Sequence, residues 1–217
     1  MSALTLAFIA PAANADIIFY STAGAIQPEQ NVLLPADQVS TTILGFTNQT
    51  NTAVVFTQPT AAENLTTPAN GQARITSFDS PNPSYTSLRT SLTGGNTFSL
   101  FEANPNFLNG GITFTVGVVE NNNQTSTQSF TSGNGQSYFG VQAILGQRIS
   151  YIDITGPANS IVDVRQIRIG GIQTSNGTPI VPEPSEWMAM GMAAASVGGL
   201  MVRARRRRSS RETVAAA

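Results

Sequence analysis

The 217-residue sequence contains no cysteine, no histidine and no lysine. Without cysteine there is no disulfide, thiol nucleophile or thiolate metal ligand. Without histidine there is no imidazole zinc site and no Ser-His-Asp triad. The missing lysine also excludes Schiff-base and P-loop chemistry. The sequence therefore predicts a protein with no catalytic residue, no metal and no cofactor.

Charge is scarce, at 11% of the residues, and it is segregated. All 11 basic residues are arginines, and six of them lie between Arg203 and Arg211. Residues 16–181 hold five arginines and nine carboxylates, so five minus nine gives a net charge of −4. A weakly acidic body argues against nucleic acid as a partner.

The N-terminus has the pattern of an export signal. A short apolar run precedes Ala13-Asn14-Ala15, and Ala13 and Ala15 match the small residues of a signal-peptidase site. Residues 1–15 are therefore predicted to be a signal peptide whose removal leaves Asp16 first. Because no basic residue precedes Arg74, we expect this signal to be truncated, with the true start upstream. The alternative is a first β-strand with a frayed leader.

Residues 187–202 are the one long apolar helix candidate, and they include no charged residue. Sixteen helical residues span about 24 Å, which is short for a bilayer core of about 30 Å. Trp187 can lie at one interface and Arg203 at the other, with the arginines on the cytoplasmic side. The prediction is a single transmembrane helix, and the alternative is a buried helix of the globular domain.

Two prolines stand directly before this helix candidate. Pro182 and Pro184 lack an amide hydrogen, and each biases the preceding residue away from helical geometry. Val181 to Glu183 should therefore be extended, with Ser185 as the helix cap. An extended, accessible tripeptide is the shape that the active site of a protease or transpeptidase binds.

The order of Pro-Glu-Pro, apolar helix and arginine cluster resembles the PEP-CTERM sorting signal of exported bacterial proteins. Pro182, Glu183 and Pro184 match its tripeptide, and residues 187–202 match its membrane segment. The resemblance implies an exosortase as partner, a transient anchor in the inner membrane, and final location at the cell surface or outside. Residues 209–217 form a cytoplasmic tail, although this family usually ends sooner. The basic membrane stop is matched by Arg203, Arg205, Arg206, Arg207 and Arg208.

Residues 16–170 form a body rich in Thr, Asn, Gln, Ser and Gly, with short alternating apolar runs. In residues 111–118, Ile112, Phe114, Val116 and Val118 face one way, which is the period of a half-buried strand. Many short strands separated by turns predict an all-β protein, an antiparallel β-sandwich of jelly-roll type. The body also resembles the secreted β-sandwiches often found ahead of this sorting signal. Residues 171–181 are a predicted linker.

The last predicted strand, Ile161 to Ile169, changes phase along its length. Val162 and Val164 share one phase, and Ile167 and Ile169 take the other. A bulge near Arg165 and Gln166 reconciles the two.

Asp153 and Asp163 are the nearest approach to a carboxylate pair. A glycosidase pair or a calcium site is conceivable, but nothing in the spacing enforces either. Solvated strand faces and an Asp-Arg pair are favoured. Seven aromatic residues are predicted to be mostly core, with a sugar-binding face as the alternative: Phe98, Phe101, Phe107, Phe114, Tyr138, Phe139 and Tyr151. Tyr85 and Phe107, in loops rich in Pro and Asn, are the better candidates for exposure.

The sequence thus favours a non-enzymatic surface or matrix protein, structural or associated with exopolysaccharide. The first alternative is an extracellular enzyme acting on polysaccharide. The second is a glycan-binding module that stays anchored in the membrane because the helix is never cut.

Overall fold

The structure is a computed structural model that describes residues 16–60, 63–68, 71–78, 84–133 and 137–177. Within those ranges the chain forms 15 strands and one short 3₁₀ turn, Thr93–Gly95. The strands are β1 (Ile17–Tyr20), β2 (Gln30–Leu34), β3 (Val39–Ser40), β4 (Thr42–Thr47), β5 (Ala53–Thr57), β6 (Leu65–Thr66), β7 (Gly71–Gln72), β8 (Arg74–Ser77), β9 (Ser87–Leu92), β10 (Leu100–Phe107), β11 (Thr113–Glu120), β12 (Thr125–Thr131), β13 (Phe139–Ala143), β14 (Ile149–Thr155) and β15 (Ile161–Gly170).

The strands make two layers. Sheet A runs β1, β13, β10, β15, and continues beyond β15 with β8, β6 and β3. Sheet B runs β12, β11, β14, β9, β5, β4 and β2. Strand β2 joins the two sheets, because Gln30 and Asn31 pair with β15 while Val32 and Leu33 pair with β4. Every strand pair in the described residues is antiparallel, so the predicted all-β antiparallel sandwich is confirmed. The finer jelly-roll assignment stays a prediction.

Alternation along the strands places the core between the layers. In β11, Phe114, Val116 and Val118 are buried, and the alternate positions Thr113 and Thr115 are not. This is the pattern that the sequence predicted for this segment. Nearly all of the buried apolar side chains that the structure describes form one contiguous cluster between Val32 and Ile172. Among the described residues, the two sheets thus share one core.

The predicted bulge in β15 is present. Opposite β10 the register shifts between Glu102, which pairs with Arg168, and Asn104, which pairs with Arg165. Gln166 occupies the extra position with φ of 55°, a left-handed conformation that side chains rarely adopt. The bulge keeps Ile167 in the core and turns Gln166 to the outer face of sheet A.

The packing of the body continues past Gly170. Ile172 is buried, and Gln173 exchanges two backbone hydrogen bonds with Thr97. Several predicted features lie outside the described residues: the signal peptide of residues 1–15, the Pro182-Glu183-Pro184 tripeptide, the helix at 187–202, the arginine cluster and the tail. In the ranges that are described, no helix is long and apolar enough to cross a bilayer.

Candidate functional site

Asp153 lies on the outer face of sheet B and is held by one arginine. Arg89 donates from Nε and Nη2 to the two carboxylate oxygens at 2.8 and 2.7 Å. The hydrogen bond to Asp153 raises the pKa of Arg89. The same guanidinium stacks 3.9 Å above the ring of Tyr151. The predicted Asp-Arg pair is therefore confirmed for Asp153.

Asp163 lies on the outer face of sheet A, with the core between it and Asp153. Arg165 donates to both of its oxygens at 2.8 and 3.1 Å, and Arg74 donates at 3.3 Å. The prediction of a solvated aspartate is wrong here, because the Asp163 side chain is only 1% exposed. Two carboxylates on opposite outer faces cannot flank one glycosidic bond.

The two loop aromatics are not exposed. Tyr85 is fully buried, exchanges backbone hydrogen bonds with Ile161, and donates its hydroxyl to the Ile75 carbonyl at 3.1 Å. Burial raises the pKa of Tyr85, and the charge of Asp163 raises it further. Phe107 is 8% exposed and packs 4.8 Å from Phe114. The prediction of exposure was wrong because both residues pair as strand residues despite their loop-like neighbours.

A cleft lies between the two sheets. Strands β1 and β12 are the last strands of sheets A and B, and the cleft opens between them with a volume of about 850 Å³. Ligand pockets commonly have volumes of about 300–1,000 Å³. Its lining residues are Ile17, Ile18, Phe19, Ser21, Phe114, Gln128, Ser129, Phe130, Thr131, Gly133, Ser137 and Tyr138.

Aromatic rings line this cleft. The Phe19 ring contacts the Phe130 ring at a tilt of 59° with centroids 6.3 Å apart, and Phe130 stacks on Phe114 at 5.5 Å. Phe114 is 1% exposed and forms the floor, while Phe19 and Phe130 are half-buried. Hydroxyl and amide side chains supply the remaining surface, and no charged side chain belongs to the described lining. Rings beside uncharged hydrogen-bonding groups suit a neutral, amphipathic ligand surface.

A second, smaller cavity lies on the outer face of sheet A, and Tyr138 lines both this cavity and the cleft. We call the second one the polar cavity. It has a volume of about 240 Å³ and is lined by Asn31, Glu102, Tyr138, Gln166, Ile167 and Arg168. Its wall is fixed by a network: Tyr138 Oη and Asn104 Nδ2 both donate to Gln166 Oε1, the latter at 3.0 Å. Asn104 in turn accepts from the Ser137 amide at 2.9 Å. The cleft and the polar cavity together form the candidate site.

Sequence reasoning named part of this site. Phe114 and Tyr138 were among the aromatics of the alternative sugar-binding face, while Phe19 and Phe130 were missed. A usable signal existed, because Phe130 is the single large apolar residue of the otherwise polar β12. In the described ranges, no group of three or more Asp or Glu side chains could hold a metal ion.

Glu120 is a carboxylate in a core position. It continues the inward phase of Phe114, Val116 and Val118 at the end of β11 and is fully buried. Neither of its oxygens has a hydrogen-bond partner among the described residues. Burial raises the pKa of Glu120, and the charge of Asp16 raises it further. The Glu120 carboxyl group therefore stays protonated to higher pH in the folded chain than in the unfolded chain.

Glu120→Met is expected to stabilise the protein at neutral pH. Burial of an unsatisfied carboxylate costs about 1–3 kcal/mol, and methionine has a similar length without the charge. The sign follows from linkage: stability is fully present below the ordinary Glu pKa and is lost as pH rises through the raised folded pKa. Urea unfolding from pH 4 to 8 should show the gain of the variant appear only toward the upper end. A gain of equal size at every pH would contradict the assignment.

Comparisons with known proteins add little. No family model matches the chain, and no curated protein matches it. Among solved structures it is similar to CBM29_1, a family 29 carbohydrate-binding module from Piromyces equi. The identity is 12%, and the match covers 72% of this chain and 89% of that chain, with a TM-score of 0.27. A likeness of this size carries no conclusion about the ligand of this protein.

Proposed function

We propose that this protein is a non-catalytic polysaccharide-binding β-sandwich that is exported and acts at a bacterial surface or in the extracellular matrix. The observation that carries the proposal is the cleft between β1 and β12, where aromatic rings stand among uncharged hydroxyl and amide groups. A sugar ring presents C–H bonds on its faces and hydroxyls at its edge. The C–H bonds pack against the negative face of an aromatic ring, and the hydroxyls form hydrogen bonds with the polar lining.

Two further observations support binding without turnover. The cleft contains no ionisable side chain other than the Tyr138 phenol in its described lining. The two aspartates that a glycosidase would need, Asp153 and Asp163, lie on opposite faces, each bound to arginine. If incubation of the body with polysaccharide released reducing ends, the enzymatic alternative would replace this proposal.

Sorting through the C-terminus is the second part of the proposal. It is supported by the order Pro182-Glu183-Pro184, apolar residues 187–202 and the arginine cluster. An exosortase would cut near the tripeptide and release the body from the inner membrane. Mass spectrometry of the mature protein from its host tests this part, because removal of the arginines is expected. An intact arginine tail would favour the permanently anchored module instead.

Phe130→Ala is expected to weaken polysaccharide binding about tenfold, which corresponds to about 1.4 kcal/mol. The variant removes the half-buried ring that contacts Phe19 in the wall of the cleft but leaves the buried floor in place. Residues 16–177 should be screened on a glycan array, and the affinity for a retained polysaccharide should be measured by calorimetry.

Phe78→Ala is the matched control, because Phe78 is 54% exposed and is not among the residues that line the cleft. It should bind as the unaltered protein does. Equal weakening by both substitutions, or retention of no polysaccharide at all, would contradict the proposed function.

A further inference from the structure

Arg168 in the polar cavity has no side-chain partner among the described residues. It makes no side-chain hydrogen bond and no ion pair in the part of the chain that the structure describes, and its Nε is buried without a partner. The other four arginines of the described ranges all make such contacts. Arg74 and Arg165 bind Asp163, Arg89 binds Asp153, and Arg148 donates to the Thr97 and Gly171 carbonyls. A guanidinium normally uses its five donors, so this one is free for a ligand.

Glu102 does not neutralise Arg168, although the two residues are directly opposite on β10 and β15. No ion pair within 4.0 Å joins their side chains. Glu102 is 5% exposed, and its Oε2 accepts a hydrogen bond from the Gly24 amide at 3.2 Å. The carboxylate is thus held by the loop that follows β1, and its second oxygen remains an acceptor at the cavity wall.

The rest of the cavity wall is set before any ligand arrives. Gln166 is held at the bulge by the Asn104 amide and the Tyr138 hydroxyl, which both donate to its oxygen. The Gln166 amide nitrogen makes no hydrogen bond to another described residue, and Gln166 lines the same cavity. A rigid wall lowers the entropy lost on binding, so the free guanidinium is placed in a preorganised site.

Arg168 is the cation of this face whose donors no side chain accepts in the described residues. Sheet A carries Arg74, Arg165 and Arg168 on its outer face, together with the carboxylates of Asp163, Glu102 and Glu29, so the formal charges balance. Asp163 already binds both Arg74 and Arg165, and Glu29 accepts from the Gly171 amide. Arg168 therefore offers free donors rather than an excess of positive charge. A carboxylate is the anionic group whose two oxygens match the fork of a guanidinium.

We propose that the polar cavity binds the carboxylate of an acidic sugar, so that the ligand is a polysaccharide containing uronic acid. The carboxylate of one residue pairs with Arg168, and a neighbouring ring hydroxyl donates to Glu102. The adjoining sugars extend past Tyr138 into the cleft, because Tyr138 lines both the polar cavity and the cleft. This inference rests on the proposed function and adds to it the class of sugar.

The test compares acidic polysaccharides with their carboxyl-reduced forms, which differ only in carrying CH₂OH in place of the carboxylate. Polygalacturonate, alginate and hyaluronan, each with its reduced counterpart, are titrated into residues 16–177. At least one acidic polymer should bind about tenfold or more tightly than its reduced form, because a charge-assisted bidentate pair is lost. Arg168→Met, which keeps the length of the stem, should bring the acidic polymer to the affinity of the reduced one.

Arg74→Met is the matched control, because Arg74 lies on the same face but is 54% exposed and outside the cavity. It removes the same charge and should leave the preference for the acidic form in place. Equal binding of acidic and reduced polymers, or equal loss in both variants, would overturn the uronic-acid inference while leaving polysaccharide binding intact. If the glycan array and all six polymers show no binding, the proposed function itself fails.

Discussion

Replacing Phe114 by alanine is expected to lower the free energy of unfolding by about 3–5 kcal/mol. Phe114 is 1% exposed and packs against three other rings, Phe107, Phe130 and Phe139, at 4.8, 5.5 and 6.2 Å. Removal of the ring leaves a cavity that surrounding side chains on two rigid sheets cannot fill. Urea unfolding of residues 16–177, monitored by far-UV circular dichroism, measures the loss of stability.

Phe130→Ala provides the comparison within the same aromatic cluster. Phe130 is only half-buried and lies on an edge strand, so its truncation should cost about 1 kcal/mol. The two substitutions thus separate the floor of the cleft, which supports the fold, from its wall, which is available to a ligand. Comparable losses in both would show that the cleft is part of the core rather than an open surface.

Asp163→Ala should cost about 2–3 kcal/mol, which is far more than Asp153→Ala. The Asp163 carboxylate is 1% exposed and accepts three hydrogen bonds from Arg74 and Arg165. Its removal eliminates charge-assisted bonds that are shielded from water. The arginines themselves are 54% and 36% exposed and can regain hydration, which limits the loss.

Asp153 forms its pair nearer to solvent. Its side chain is 25% exposed, and that of Arg89 is 34% exposed, so the pair should contribute under about 1 kcal/mol. Both variants should be unfolded in urea at low and at 0.5 M salt. Added salt should reduce the effect of Asp153→Ala more than that of Asp163→Ala. Equal effects of the two substitutions would contradict the difference in burial.

The alternation of apolar residues was enough to predict the fold class. Segments such as residues 111–118 carry the period-two signal over their whole length, and the β15 bulge was visible as a change of phase. Strands β2, β6 and β9 were not predicted. β9 reads SLRTSL and has few large apolar residues, because its burial comes from neighbouring strands on both sides. The strand propensity of a sequence does not include burial by neighbouring strands.

The candidate site was less accessible to sequence reasoning. Phe19 and Phe130 lie more than a hundred positions apart and meet only because β1 and β12 end opposite sheets on the same side of the sandwich. Arg165 and Arg168 are both close to Asp163 in sequence, but only Arg165 binds it, together with the distant Arg74. Which arginine is left unpaired depends on the bulge and on strand register, and neither is encoded in local spacing. Glu120 was also overlooked, although its inward phase follows from Phe114 and Val118.

The central claim is that the cleft between β1 and β12 is the surface that binds polysaccharide. The most direct measurement is an NMR titration of isotope-labelled residues 16–177 with oligosaccharides from the polysaccharide that the protein retains. The account predicts that amide shifts change first in β1, in β12 and around Tyr138, and spread to Arg168. Shifts confined to the opposite face of sheet B, around Arg89 and Tyr151, would contradict it.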